Sequence, residues 1–206
     1  NIPETDRAKP LFVFASHRHG DHFSRSIFDL EESRGNVTYV LSDDIWTRQV
    51  PEDLLGRTVF LGPGEEVSLK DGAGNPVDIQ AFKSTVAFLV SLEHRTIYHA
   101  GDLNNWVWEG EPEADNRRMS ESFHREMDKL AGRHIDVAFM LIDPRQEKDF
   151  YLGMDDFMRM VGADVVFPMH FWEDFQAAAR FKALACADGY KDRIQEIHRR
   201  GEEFLV

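Results

Sequence analysis

The stretch Phe12–Phe23, FVFASHRHGDHF, sets a short apolar and aromatic run directly before three histidines and an aspartate. The run Leu11–Ala15 reads as a buried strand, and His17, His19, Asp21 and His22 follow at once. Imidazole and carboxylate are the ligand types that suit zinc, iron and manganese. Crowding them in one loop calls for a compensating cation, because a buried carboxylate needs a partner. Gly20 lets the loop turn sharply, so that side chains on either side of it can converge. The plainer alternative is a polar loop in which Asp21 starts a helix.

Working outward, the 206 residues suffice for one domain with a sizeable core, so residues 1–206 are read as a single domain. The formal net charge of −13 argues against nucleic acid as a partner. A small-molecule substrate remains open, since a bound metal dominates its local field. Nothing in the chain approaches the ~18–20 apolar residues of a membrane helix. A basic leader with an apolar core is also missing from its start, so a cytoplasmic, membrane-free protein is expected. Cys186, the single cysteine, reads as a buried helical thiol and fits a reducing compartment.

Apolar patterning orders the rest. Val37–Leu41 and Thr58–Gly62 read as strands, and residues 21–33 as a helix with Phe23, Ile27 and Leu30 on one face. From Val67 to Ala100 four strand-like runs follow, with DGAGNP and EHR between them as hairpin turns, which predicts antiparallel sheet. Residues 113–132 read as a helix with Met119, Phe123, Met127 and Leu130 on one face and Gly132 as its stop. A central strand (135–143), a helix (154–162), a strand (163–169) and a long helix (173–189) follow, with a last edge strand from Ile194. Strands and helices in this order predict an α/β fold of two packed sheets with helices outside.

The H-x-H-x-D-H pattern behind an apolar strand resembles the signature of the metallo-β-lactamase-fold hydrolases. IYHAGDLNN ends a strand in Gly101–Asp102, and VVFPMHFWED ends one in His170, similar to that family's bridging aspartate and final histidine. The resemblance runs from Leu11 to Phe175 and is nearest the small lactonase-like branch. It implies a four-layer αββα sandwich and a metal-dependent hydrolase acting on a small ester, lactone or phosphodiester. It also implies the ligands: His17 and His19 for a first ion, Asp21, His22 and His170 for a second, and Asp102 bridging. Asp21 and Asp102 would be catalytic as well, Asp21 by accepting a proton or orienting the nucleophile. Zinc is the expected metal, as one or two ions, with manganese or iron as substitutes.

The chain departs from that pattern in two places. The family's further histidine is missing, and Ser84 or Thr85 falls where it would be, so the second ion is expected to bind more readily. His99 is expected to support a metal-binding carboxylate or to pack at the strand end, and Ser84 or water to stand in the gap of the first site. Only sixteen residues precede His17, too few for the fold's opening hairpin, so the first strands are expected to be reduced or to lie outside this chain. A β-lactam is a poorer substrate expectation, given the missing histidine. The competing reading is a metal-binding protein of the same fold with a redox or regulatory role and no hydrolysis.

Trp106 and Trp108, just past Asp102, are candidates for a substrate wall, or for a lid packed on the core. Arg145 and Tyr151 follow the central strand. Arg145 would clamp a carboxylate or phosphate, or pair with one of the chain's 37 acids. His94, His124, His134 and His198 read as surface or helix-cap residues. The sequence leaves the number of assembled chains open.

Overall fold

A computed structural model describes residues 9–83 and 87–206. Ser84 and Thr85, and with them the position of the missing histidine, lie outside the described residues. The chain divides into two compact units, residues 1–94 and 95–206, and its strands fall into two sheets.

In the first unit, β1 (Leu11–Ala15), β2 (Val37–Ser42) and β3 (Thr58–Leu61) form a parallel sheet in that order. Parallel strands are buried on both faces and are therefore apolar throughout. VTYVLS shows this, with five of its six residues buried. One face packs against Phe23, Phe28 and Leu54 from the connecting segments, with Tyr39 edge-on to Phe28 at 5.0 Å. The other face, through Val40 and Leu61 and the part-buried Phe12 and Phe14, packs on β4 (Glu66–Lys70), β5 (Pro76–Phe82) and β6 (Ala87–Leu92). These three strands are antiparallel, as expected. Their first turn is closed by Asp71, whose Oδ1 accepts the N–H groups of Ala73 and Asn75 at 2.8 Å each. Glu93 and His94 hold positive φ in the turn after β6.

In the second unit, β7 (Arg95–His99), β8 (Val137–Leu141) and β9 (Val165–Met169) are parallel neighbours. Helices α2 (Glu113–Leu130) and α3 (Leu152–Met160) are the crossovers. Tyr98 stacks on Phe157 of α3 at 5.5 Å, and both are fully buried. Phe123, Met127 and Leu130 are buried on α2 as predicted. Met119, one turn before Phe123, is 45% exposed instead.

Three elements differ from the sequence expectation. The helix over 21–33 is a 3-10 turn (Arg25–Asp29) running into the short α1 (Leu30–Arg34). His22 and Phe23 are held back by donating to the His19 carbonyl, and Ser24 caps the 3-10 turn from its side chain. The helix over 173–189 shrinks to α4 (Ala177–Lys182) and a 3-10 turn (Ala185–Ala187). Asp174 takes the Gln176 N–H on its side chain and delays the start, while Leu184 is extended and ends it. Cys186 is consequently only part-buried, on that turn. The final edge strand is a single parallel bridge between Val166 and Ile194, because the tail then folds on itself through His198 and Glu202. Among the described residues, no helix is long and apolar enough to cross a membrane.

Candidate metal centre

The loop after β1 gathers its three imidazoles. The His17 and His19 ring centroids lie 4.6 Å apart, and those of His17 and His22 lie 4.1 Å apart. Two main-chain bonds, from the His22 and Phe23 N–H groups to the His19 carbonyl, close the turn. Ser16, buried at the strand end, sets ring orientation: its Oγ is 3.1 Å from Nδ1 of both His17 and His22. One hydroxyl donates one proton, so at least one of these rings must donate from Nδ1 if both bonds are made. That ring then keeps a lone pair on Nε2, the form in which histidine binds metal. His17 Nε2 in turn lies 2.9 Å from His19 Nδ1. Asp21 is more exposed, with Oδ2 3.7 Å from His22 Nε2.

In the second unit the carboxyl ends of three adjacent parallel strands carry the polar groups. Asp102 follows β7, Asp143 follows β8 and His170 follows β9. Ligands in open α/β sheets bind at this edge. His170, at φ +64°, turns its Nε2 toward Asp102 Oδ1 at 3.3 Å and its Nδ1 toward Asp143 Oδ2 at 2.8 Å. The bond to Asp102, then that to Asp143, raises the imidazole pKa to about 9 against the opposing effect of burial. Burial pushes the Asp143 carboxyl up, but the bonds from His170 and Arg145 outweigh it and hold it well below the usual carboxylate range.

Asp143 and Ser16 are the residues that sequence reading missed. Asp143 is fully buried and anchors one nitrogen of a proposed ligand histidine, as outer carboxylates do in metal sites. Its only signal in sequence is its place just after a strand, where Asp-Pro-Arg reads as a turn.

The Asp102 segment is held from both sides. The Gly101 N–H donates to His99 Nδ1 at 3.0 Å, so His99 braces the turn. The Trp106 indole donates to the Asp102 carbonyl at 2.9 Å. Gln146, buried three residues beyond Asp143, accepts from Asn104 Nδ2 at 2.8 Å and donates to the carbonyls of Asn105 and Val107. Such a buried network fixes a loop that lacks regular hydrogen bonding.

Trp106 and Trp108 stack in parallel with centroids 5.6 Å apart, and Trp106 meets the His170 ring edge-on at 5.8 Å. Arg145 forms the acid pair, with Nε 2.9 Å from Asp143 Oδ1, and its guanidinium lies 4.9 Å from the Trp172 centroid. Tyr151 is placed differently: it stacks on Phe181 of α4 at 5.9 Å. Among the expected surface histidines, His124 bonds Asp156 at 2.8 Å. His134 lies 3.4 Å from Asp164.

The donor sets of both units, imidazole nitrogen and carboxylate oxygen, have the chemistry of divalent transition-metal ligands.

No family model and no curated protein matches the chain. Solved structures do. It is similar to Igni18, a novel metallo hydrolase from the hyperthermophilic archaeon Ignicoccus hospitalis, at 16% identity and a TM-score of 0.59, over 91% of this chain and 76% of that one. Two weaker likenesses are to CmlA, a diiron β-hydroxylase from Streptomyces venezuelae (13% identity, TM-score 0.49, 79% of this chain and 36% of that one), and to the metallo-β-lactamase SMB-1 bound to 2-mercaptoethanesulfonate (13%, 0.38, 84% and 63%).

Proposed function

On the metallo-β-lactamase fold that this chain adopts, we propose a metal-dependent hydrolase of small ester, lactone or phosphodiester substrates. The observation that carries the reading is the Asp143–His170 pair. A fully buried carboxylate 2.8 Å from Nδ1 commits the other nitrogen, Nε2, to the strand-end face where Asp102 lies. In this reading the family resemblance assigns His17, His19 and Asp102 to one ion, and Asp21, His22 and His170 to a second. Asp102 would serve the second ion as well, which would make that set the fuller and the first to fill. Zinc suits these donors best, with manganese or iron as substitutes.

A divalent ion held there would make water acidic enough to attack at neutral pH and would stabilise negative charge on the substrate. The remaining work falls to the side chains. Asp21, the most exposed of the acids proposed as ligands, takes the proton of the attacking water or orients it. Ser16 and Asp143 fix the rings of His17, His22 and His170, so little reorganisation accompanies reaction. Trp106 and Trp108 give the substrate an apolar wall beside His170. Arg145 acts chiefly by holding Asp143 and offers its outer edge to an anionic substrate group.

The test is turnover of a panel of lactones, aryl esters and aryl phosphodiesters by chain stripped with chelator and then reloaded with zinc, manganese or ferrous iron. Hydrolysis of at least one class that vanishes on stripping and returns on reloading is expected. Tight metal binding with no hydrolysis across the panel would favour the redox or regulatory reading instead.

A further inference from the structure

The second unit contains a cavity of about 610 Å³ that the metal reading does not use. Its floor is one face of the parallel sheet: Ile97, Val137, Phe139 and Phe167, which the strand register sets side by side. The opposite face is filled by the helices, as Tyr98 against Phe157 shows. Parallel sheets are normally covered on both faces. Here Ile97, Val137 and Phe139 remain only part-buried, with apolar side chains directed into the cavity. The walls are Phe171 and Phe175 from the segment after β9, and Phe204 from the tail, which meets Phe167 edge-on at 5.1 Å. Trp172, 56% exposed, also lines the cavity, and its ring lies 5.6 Å from that of His170.

The volume falls in the range of small-molecule sites, ~300–1,000 Å³, which are largely apolar with a few fixed polar groups. The polar groups here are not neutral. Arg199 and Arg200 both line the cavity in a chain whose net charge is −13. Arg200 is paired with Glu173 at 3.0 Å, and the cavity's own acid, Glu202, is engaged by the His198 N–H. No ion pair to Arg199 is found among the described residues, and its guanidinium can take a carboxylate with two parallel hydrogen bonds.

We propose that this cavity binds an amphiphilic organic acid, with its hydrocarbon portion on the β7–β8–β9 face and its anionic end at Arg199. The Arg199 guanidinium, exposed and with no ion pair among the described residues, selects an anion over a neutral or cationic amphiphile. A volume of about 610 Å³ with a mostly apolar lining suits one small molecule. The site stands whether or not the strand ends hold a metal, so it is tested on the metal-free chain.

The probe is octanoate below its micelle concentration, titrated by calorimetry and followed by tryptophan emission, to which Trp172 contributes. Saturable one-to-one binding is expected, with acetate not binding and octanol binding at least roughly tenfold more weakly than octanoate, the loss of one charge-assisted pair. Arg199→Glu, a change on an exposed side chain, should weaken octanoate by a similar factor and leave octanol unchanged. Val137→Trp should fill the cavity and abolish both. If Val137→Trp fails to fold, Arg199→Glu decides alone. Absence of saturable octanoate binding by the wild-type chain overturns the proposal, as does undiminished binding by Arg199→Glu. Octanoate binding that survives in a folded Val137→Trp chain also overturns it.

Discussion

Replacing Asp143 by asparagine keeps the volume of the side chain and removes its charge. Its carboxylate is fully buried and accepts from the Arg145 backbone N–H at 3.0 Å, from Arg145 Nε at 2.9 Å and from the Arg145 Nη2, while His170 Nδ1 lies 2.8 Å away. An amide has one acceptor oxygen, so it can satisfy either the Arg145 side or the His170 side. The bonds it retains fall from charge-assisted to neutral, a loss of ~1 kcal/mol each. Arg145 is half-exposed and recovers water, which limits the damage on its side. The metal-free chain should therefore lose about 1–3 kcal/mol in urea unfolding. Metal affinity should fall further than stability implies, by ~10–100-fold, because His170 loses the partner that fixes its ring. Equilibrium urea denaturation in chelator measures the first quantity, and zinc titration of the folded variant the second. A variant with wild-type affinity would refute the orienting role of Asp143, whatever its stability.

Two further outcomes follow from the same geometry. Gly153→Ala in α3 drives a Cβ into Asn104 Oδ1 and sets it 3.1 Å from the Asn105 nitrogen, so the Asp102 segment must shift. A loss of about 1–3 kcal/mol in urea unfolding is expected, and a loss under about 0.5 kcal/mol would show that the segment is not held as described. In the metal-free chain, His170 has a folded pKa of about 9, raised from an ordinary 6.5. A raised histidine contributes its full stabilisation below the unfolded value and loses it as pH climbs through the folded one. The urea midpoint should therefore decline between pH 6.5 and 9 and flatten most in Asp102→Asn, since Asp102 is the larger cause of the shift. An Asp102→Asn chain with the wild-type slope would contradict that assignment.

The strands were legible because burial on both faces leaves an unbroken apolar run, as in LFVFA and VTYVL, and because DGAGNP carries its own turn chemistry. Helix lengths were not. Ser24 and Asp174 bond to nearby main chain and shorten what side-chain periodicity extends, a competition decided by local geometry. The ligand candidates could be named because H-x-H-x-D-H is compact in sequence. Asp143 could not, because Asp-Pro-Arg reads as a turn and only the fold buries it beneath His170. Ser16 was hidden for a similar reason: a serine beside a histidine means little until one hydroxyl is seen between two rings. Tyr151, a substrate-binding candidate in sequence, stacks on Phe181 of α4 from its place at the N-cap of α3, a contact that sequence order does not reveal.

The proposed function requires a metal on the ligands that the family resemblance assigns: Asp21, His22, Asp102 and His170, with His17 and His19. A crystal of the zinc-loaded protein, with anomalous density measured on either side of the zinc absorption edge, tests it most directly. The expected result is a peak within about 2.0–2.2 Å of ligand atoms from Asp21, His22, Asp102 and His170, with a second, weaker peak at His17 and His19. Zinc found only at exposed groups such as His134 and Asp164, with none at these residues, would contradict it.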